Sequence, residues 1–439
     1  MERNRYEPNH PSSNNLVNKR FRMKALAYQN GKLYCEGVAI EEIAKQYKTP
    51  LYLYSASTLT QNYQDFDQGL GDLPHQVCFS VKSNGNLSIL HLLSRLGSGA
   101  DIVSGGELFK ALQAGIPAKK IVYSGVGKTL EEIQTALEAD ILLFNIESEQ
   151  ELVAIQSIAQ KLHKRAAISI RVNPNIDPKT HHYITTGLKE NKFGLSNEKA
   201  ISLYQQAKQM PELEIRGIAC HIGSQLTSLQ PYVETFDHLT ELIQQLEQLG
   251  ISLSYIDVGG GLGIQYHDEN PPTPQAYGAL IQEKFGKFHK TILLEPGRAI
   301  CGNAGCLITK IIYVKETPEK VFYIVDAAMN DLIRPSFYQA YHEMIPLKEP
   351  QSNQTIPVDV VGPICESGDF LAKNRGLPLL EAGDLLLVQD SGAYGLSMSS
   401  NYNARPRAPE VLIREGNYSL IRKRETPSQL IENDLLFEI

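Results

Sequence analysis

Lys82 lies in the run Cys78-Phe79-Ser80-Val81-Lys82-Ser83-Asn84, at the end of a short β-prone stretch. On a strand, Ser80 and Lys82 face one way and Phe79 and Val81 the other. The turn formers Ser83, Asn84 and Gly85 follow at once. Desolvation at a strand's C-terminal lip lowers a lysine's pKa, and a neutral amine is the nucleophile that forms a Schiff base with an aldehyde. Taken singly, such a lysine is more often a surface residue. The other motifs have to decide.

Asp257-Val258-Gly259-Gly260-Gly261-Leu262-Gly263 also follows a strand-like run. Consecutive glycines let backbone N–H groups close on an anion, so this reads as a phosphate cradle. It does not complete G-x-G-x-x-G, because Ile264 stands at the last position. Gly127-Lys128-Thr129 resembles the end of a Walker A loop, but Val122 replaces its first glycine, and Lys128 reads as a surface residue. His221-Ile222-Gly223-Ser224-Gln225 offers an imidazole to stack on a flat ligand and a hydroxyl for a phosphate.

Glu295-Pro296-Gly297-Arg298 offers a carboxylate for a pyridine nitrogen and a guanidinium fork for a carboxylate. A local salt bridge between the two is the plainer alternative. Gly362-Pro363-Ile364-Cys365-Glu366-Ser367-Gly368-Asp369 places a thiol beside a carboxylate, suited to acid–base work or to a buried structural cysteine. Asp390–Gly395 and Met398–Asn403 are polar loops rich in glycine and tyrosine, of the kind that bind ligands.

The elements that must position these residues alternate from about Leu51 to Arg298. Eight strand-like runs are Cys78–Ser83, Ala100–Ser104, Ile121–Ser124, Leu142–Ile146, Ala167–Val172, Ile215–His221, Tyr255–Val258 and Ile292–Leu294. Amphipathic stretches such as Gly106–Ala114 and Glu149–Leu162 separate them. Strand then helix, repeated, implies parallel pairing. The reading is α/β, a (β/α)8 TIM-like barrel, with a doubly wound open sheet as the rival. The barrel is favoured because the chemical motifs sit at strand ends, which a barrel gathers at one mouth.

Beyond Arg298, six strand-like runs without long helices between them indicate a mostly β C-terminal domain. Near the start, Asn30-Gly31 marks a hairpin. The expected division is a disordered extension over 1–24, a segment 25–50 joining the β domain, a barrel over 51–300, and a β domain over 301–439.

The composition is that of an ordinary globular chain of 439 residues, 42% hydrophobic and 21% charged. A net charge of -7 without a long basic block gives no footprint for nucleic acid. No apolar run reaches membrane-spanning length. None of the six cysteines forms a C-x-x-C pair, so no zinc site is indicated, and their scatter fits a reducing compartment, the cytoplasm. The first 24 residues carry six Lys or Arg against two Glu and no apolar core, unlike a secretory signal. Residues 1–22 read as a dispensable extension.

As a set, these motifs resemble the PLP-dependent decarboxylases of the alanine-racemase-like fold type, and among them the diaminopimelate decarboxylase family. The resemblance spans residues 26 to 430. Besides the runs above it rests on His181-His182-Tyr183-Ile184-Thr185-Thr186-Gly187 with Lys192-Phe193-Gly194, and on Arg334-Pro335-Ser336-Phe337-Tyr338.

It implies pyridoxal 5'-phosphate bound covalently to Lys82 and stacked on His221. Ser224, Gly260, Gly297 and Arg298 would hold the phosphate, and Glu295 the pyridine nitrogen. Arg298, Arg334 and Tyr338 would hold a distal substrate carboxylate and Glu366 a distal ammonium, with Tyr394 touching cofactor and substrate. Cys365 would return a proton to the α-carbon. Cys365 and Glu366 would act in the neighbouring subunit of a homodimer.

The implied reaction converts meso-2,6-diaminopimelate to L-lysine and CO2. Glu366, where decarboxylases of basic amino acids tend to carry Asp, favours diaminopimelate over ornithine or arginine. An ornithine-, arginine- or carboxynorspermidine-type decarboxylase is the runner-up, and a non-catalytic PLP-binding protein is further off.

Overall fold

The computed structural model describes residues 21–177, 186–187 and 192–437. The His181–Thr185 part of the motif above lies outside the described residues.

Eight parallel strands close into a barrel, in the order that a (β/α)8 fold requires. In chain order they are His75–Ser80, Gly99–Ile102, Ile121–Tyr123, Leu143–Ile146, Ala166–Val172, Leu213–Cys220, Tyr255–Asp257 and Thr291–Leu294. The eighth pairs with the first, Leu293 opposite Gln76, which excludes the open doubly wound sheet. Each expected strand is present, with ends shifted by a few residues.

Helices begin where the sequence supplies caps: Ser104, Thr129, Ser148 and Ser196 each accept a backbone N–H of the first helical turn. The helices' apolar faces cover a core in which Phe79, Tyr123, Phe144 and Phe236 are buried.

The strand-like run around Lys82 ends earlier than expected. The first barrel strand stops at Ser80, and Val81–Ser83 form a single 3-10 turn that carries Lys82. The bond from the Ser83 hydroxyl to the Ser80 carbonyl, 2.7 Å, closes that turn. A three-residue turn returns Lys82 to the side of the strand that Ser80 occupies.

The second domain is a sheet built around the long strand Gly305–Glu316. It pairs antiparallel with Val321–Val325, Leu385–Val388 and Leu51–Ser55. Leu51–Ser55 also pairs in parallel with Glu410–Arg414. The strand at residue 51 therefore belongs to the β domain, and the expected boundary there is corrected to follow it. A fully buried pentapeptide that is apolar but for its last residue is legible as a strand but not as to which sheet it joins.

Residues 26–39 form a three-stranded sheet whose first turn has Asn30 at φ 51° and Gly31 at φ 76°, as an Asn-Gly hairpin demands. Leu26, Leu33 and Ile43 share a core with Leu53, Ile308 and Val411 of the β domain. The placed chain begins earlier than 24: Met23 is buried, and Arg22 pairs with the buried carboxyl of Asp390 at 3.1 Å. The expected disordered extension over 1–24 is therefore corrected at Arg22 and Met23, which belong to the fold.

Phe79 is fully buried within the main core. Phe79→Ala is expected to destabilise the protein by roughly 3–5 kcal/mol, through lost burial and the cavity left behind. A urea unfolding midpoint lowered relative to wild type is the check; an unchanged midpoint would show that the barrel relaxes into the space.

Candidate active site

The C-terminal ends of the barrel strands surround a cavity of about 450 Å³. Lys82, His221, Ser224, Glu295, Gly297, Arg298, Tyr338 and Tyr394 all line it. Gly260 lies between the lining residues Asp257 and Gly261 and donates its amide to His221 Nδ1 at 3.1 Å. Residues separated by more than 300 positions thus meet in one space.

Lys82 Nζ donates to Asp101 Oδ2 at 3.1 Å, and its side chain remains 37% exposed, so a ligand in the cavity can reach it. Enclosure by protein pulls the Lys82 ammonium down. The Asp101 carboxylate, with Tyr394 and Glu295 behind it, overrides that, and the net shift is upward. This corrects the expectation of a depressed lysine pKa: desolvation was legible in the sequence, whereas the partner was not. Asp101 also accepts from the hydroxyl of Ser80.

His221 behaves in the opposite way. Burial, then the charges of Arg171 and Lys82, push it well below its ordinary range. Nδ1 accepts the Gly260 amide, so the neutral ring carries its proton on Nε2. The backbone carbonyl of His221 receives Arg171 at 3.2 Å and the Thr186 hydroxyl at 2.9 Å, which hold the residue in place.

Glu295 is buried at the carboxyl-rich end of the cavity. Burial and the carboxyls of Asp101 and Asp257 push it well above the carboxylate range, while Asp257 rises to about 6. Glu295 Oε1 accepts from Ser124 at 3.1 Å. Asn145 Nδ2 bridges Asp257 Oδ2 at 2.8 Å and Ser124 Oγ at 3.1 Å. The expected salt bridge between Glu295 and Arg298 is not formed.

Arg298 instead donates to Tyr266 Oη at 2.6 Å and to Ser224 Oγ at 3.1 Å, and lies 4.9 Å over the ring of Tyr394. Its buried Nε has no partner. Arg334 is not a lining residue. It stands behind Tyr266, 4.5 Å over that ring, and bonds His342 Nε2 at 2.8 Å. Burial lowers its pKa, and the charge of Arg298 adds to this. Neither guanidinium has a carboxylate partner among the described residues.

Cys365 and Glu366 do not line this cavity. Both are exposed, which sets aside the buried structural cysteine. The Cys365 amide donates to Asn403 Oδ1 at 2.8 Å, and Tyr402 Oη donates to Glu366 Oε2 at 3.3 Å. The Met398–Asn403 loop therefore buttresses the Cys365 loop. Lys128 is not a surface residue: its side chain is 1% exposed and its Nζ bonds Glu151 Oε1 at 2.6 Å.

The lining residues Asn145, Arg171 and Asp257, and Asp101 beside Lys82, were missed in the sequence. Each is a polar residue within or at the end of a mostly apolar barrel strand, as in Ala100-Asp101-Ile102 and Ile170-Arg171-Val172. That pattern was the available signal, because a buried charge in a strand needs a partner.

The donor set fits pyridoxal phosphate. A Cβ on Gly260 would lie 2.1 Å from Glu295 O, and one on Gly261 2.3 Å from Gly223 O, so only glycine leaves backbone this close. An amine lies within reach, neutral imidazole lines the wall, and an unpartnered guanidinium nitrogen stands near Ser224. Residues 56–302 match the family model described as "Pyridoxal-dependent decarboxylase, pyridoxal binding domain", so fold, site and sequence point to the same class.

The chain is 49% identical over 403 residues to the diaminopimelate decarboxylase of Vibrio cholerae, covering 92% of this chain and 96% of that one. It is also similar to the structure of diaminopimelate decarboxylase from Helicobacter pylori complexed with L-lysine, with TM-score 0.87, 44% identity and 90% and 98% coverage. A second such structure, from M. jannaschii in co-complex with L-lysine, has TM-score 0.90, 38% identity and 95% and 99% coverage. The chain belongs to the diaminopimelate decarboxylase family.

Asp101→Asn removes the charge that holds Lys82 protonated. The pH midpoint for reaction of Lys82 with an amine-selective reagent, read by peptide mass spectrometry, is expected to fall. A midpoint equal to wild type would mean that Asp101 does not set the lysine's charge.

Proposed function

We infer that this chain decarboxylates meso-2,6-diaminopimelate to L-lysine and CO2 with pyridoxal 5'-phosphate as cofactor, the last step of lysine biosynthesis. One observation carries the reading. A single cavity holds a reachable lysine and, close to Ser224, a buried arginine without a carboxylate partner among the described residues. Two solved relatives are complexes with L-lysine, which is what one decarboxylation of diaminopimelate leaves.

Bound pyridoxal phosphate supplies an electron sink for the breaking C–C bond. The chain's residues do the rest. Lys82 would hold the cofactor through its amine, and the neutral imidazole of His221 would contact it. Ser224, Gly260, Gly297 and Arg298 would hold its phosphate, and Glu295 would serve its ring nitrogen.

Arg298 and Tyr338 take the distal carboxylate of the substrate, with Arg334 adding positive charge from behind Tyr266. Glu366 takes the distal ammonium. Tyr394 would touch both cofactor and substrate, and Cys365 would supply the proton to the α-carbon.

Because Cys365 and Glu366 are exposed and lie outside their own chain's cavity, this assignment requires a homodimer with shared sites. Exposed Tyr402, bonded to Glu366, and exposed Phe337, next to Ser336 that bonds the Gly368 carbonyl, suit such a contact. A cytoplasmic setting agrees with free thiols at all six cysteines. No described helix is long and apolar enough to cross a membrane.

The purified enzyme is expected to release lysine and CO2 from meso-diaminopimelate; release of CO2 from ornithine alone would overturn the substrate assignment. Lys82→Ala is expected to lose the visible absorbance of the bound cofactor. An unchanged spectrum would place the cofactor on another lysine. Cys365→Ala is expected to keep the cofactor and slow turnover by roughly 10²–10⁴-fold, the usual contribution of a positioned acid. Mixing the Lys82→Ala and Cys365→Ala proteins is expected to restore activity. No recovery despite demonstrated subunit exchange would rule out shared sites.

A further inference from the structure

The carboxyl-rich end of the cavity contains one more group than the assignment above uses. Asp257 ends the seventh barrel strand and Glu295 follows the eighth, and these strands pair with Asp257 opposite Leu293. The closure of the barrel therefore sets the two carboxyls side by side, both buried.

Their hydrogen bonds distinguish them. Asp257 Oδ1 accepts the Gly259 amide at 2.9 Å, and Oδ2 accepts Asn145 Nδ2 at 2.8 Å. A carboxyl met by N–H donors on both oxygens is held as the anion. Asn145 Nδ2 lies between the two carboxyls, 2.8 Å from Asp257 Oδ2 and 3.4 Å from Glu295 Oε1. Two buried carboxyls set against one amide disfavour double ionisation, and the N–H donors on both oxygens of Asp257 leave the proton on Glu295.

The other groups around Glu295 pull in both directions. The Asp101 carboxylate adds to the push upward, and Lys82 opposes it. Arg171 faces it from the fifth strand. Cys78 and Tyr277 face it too, and burial keeps both neutral.

We propose that Asp257 is a positioning residue that keeps a proton on Glu295 for delivery to the ring nitrogen of an entering pyridine ligand. The proposal rests on the pyridoxal phosphate reading above. In the transfer, the O–H bond of Glu295 breaks and an N–H bond forms on the ring. The Glu295 carboxyl becomes a carboxylate and the ring becomes a cation, so no proton is drawn from solvent. Asp257 and Glu295 then both carry negative charge beside that cation.

Asp257→Asn removes the negative charge beside Glu295. That loss stabilises the Glu295 carboxylate, while Asn145, whose buried Oδ1 has no partner, can turn to accept the new amide. The test is infrared difference spectroscopy on protein stripped of cofactor and then given pyridoxal phosphate near neutral pH. Wild type is expected to lose a protonated-carboxyl band as the visible cofactor band appears.

Glu295→Gln and Asp257→Asn are each expected to lack that bleach. If Asp257→Asn is unstable, Asp257→Ser removes the same charge and takes its place. Cofactor binding without a bleach in wild type, or an undiminished bleach in the Asp257 variant, would overturn this proposal alone. Failure of wild type to bind the cofactor would overturn the reading it rests on as well.

Discussion

The site depends on the burial of three carboxyls, Asp101, Asp257 and Glu295, at one end of a small cavity in the barrel mouth. Carboxyls taken out of water this closely cannot all remain ionised without cations. Lys82 supplies one positive charge, at 3.1 Å from Asp101, and the rest of the strain is relieved by protonation and by N–H donors. The same excess of negative charge makes this end a favourable place for a protonated ring nitrogen. The state of the nucleophilic lysine and the character of the ligand's polar end thus follow from one electrostatic constraint.

At the opposite side of the site the sign is reversed. Arg298 and Arg334 sit around Tyr266, their guanidiniums stacked against its ring and bonded to hydroxyl or imidazole groups. None of these partners neutralises charge, so the region is built to receive an anion. A ligand with a cation at one end and anions at the other aligns itself in this field before any covalent step. The glycine run at 259–261 completes the arrangement sterically, since side chains there would collide with the backbone of neighbouring strands.

Much of this was legible in the sequence because barrel chemistry sits at strand ends, and strand ends announce themselves by apolar runs followed by turn formers. Lys82, His221, Gly260, Glu295 and Arg298 were found in that way. Lys128 was misread because a lysine near a helix start gives no sign of the acid awaiting it 23 residues on, Glu151. Arg22 was misplaced because its partner Asp390 lies 368 residues away. Asp101 and Asp257 were passed over because one polar residue inside an apolar strand reads as an interruption until the barrel closes around it.

The sequence by itself determined the element order, the barrel with its β domain and most of the cavity's residue types, because these follow from local periodicity and turn chemistry. Only the tertiary structure decided their charge states. Whether Lys82 is pushed up or down and which of Asp257 and Glu295 carries the proton depend on distances between strands far apart in the chain. The tertiary structure also decided that Leu51–Ser55 belongs to the β domain and that Cys365 lies outside its own chain's cavity. Coulomb interactions and desolvation act through space, and no spacing along the chain encodes them directly.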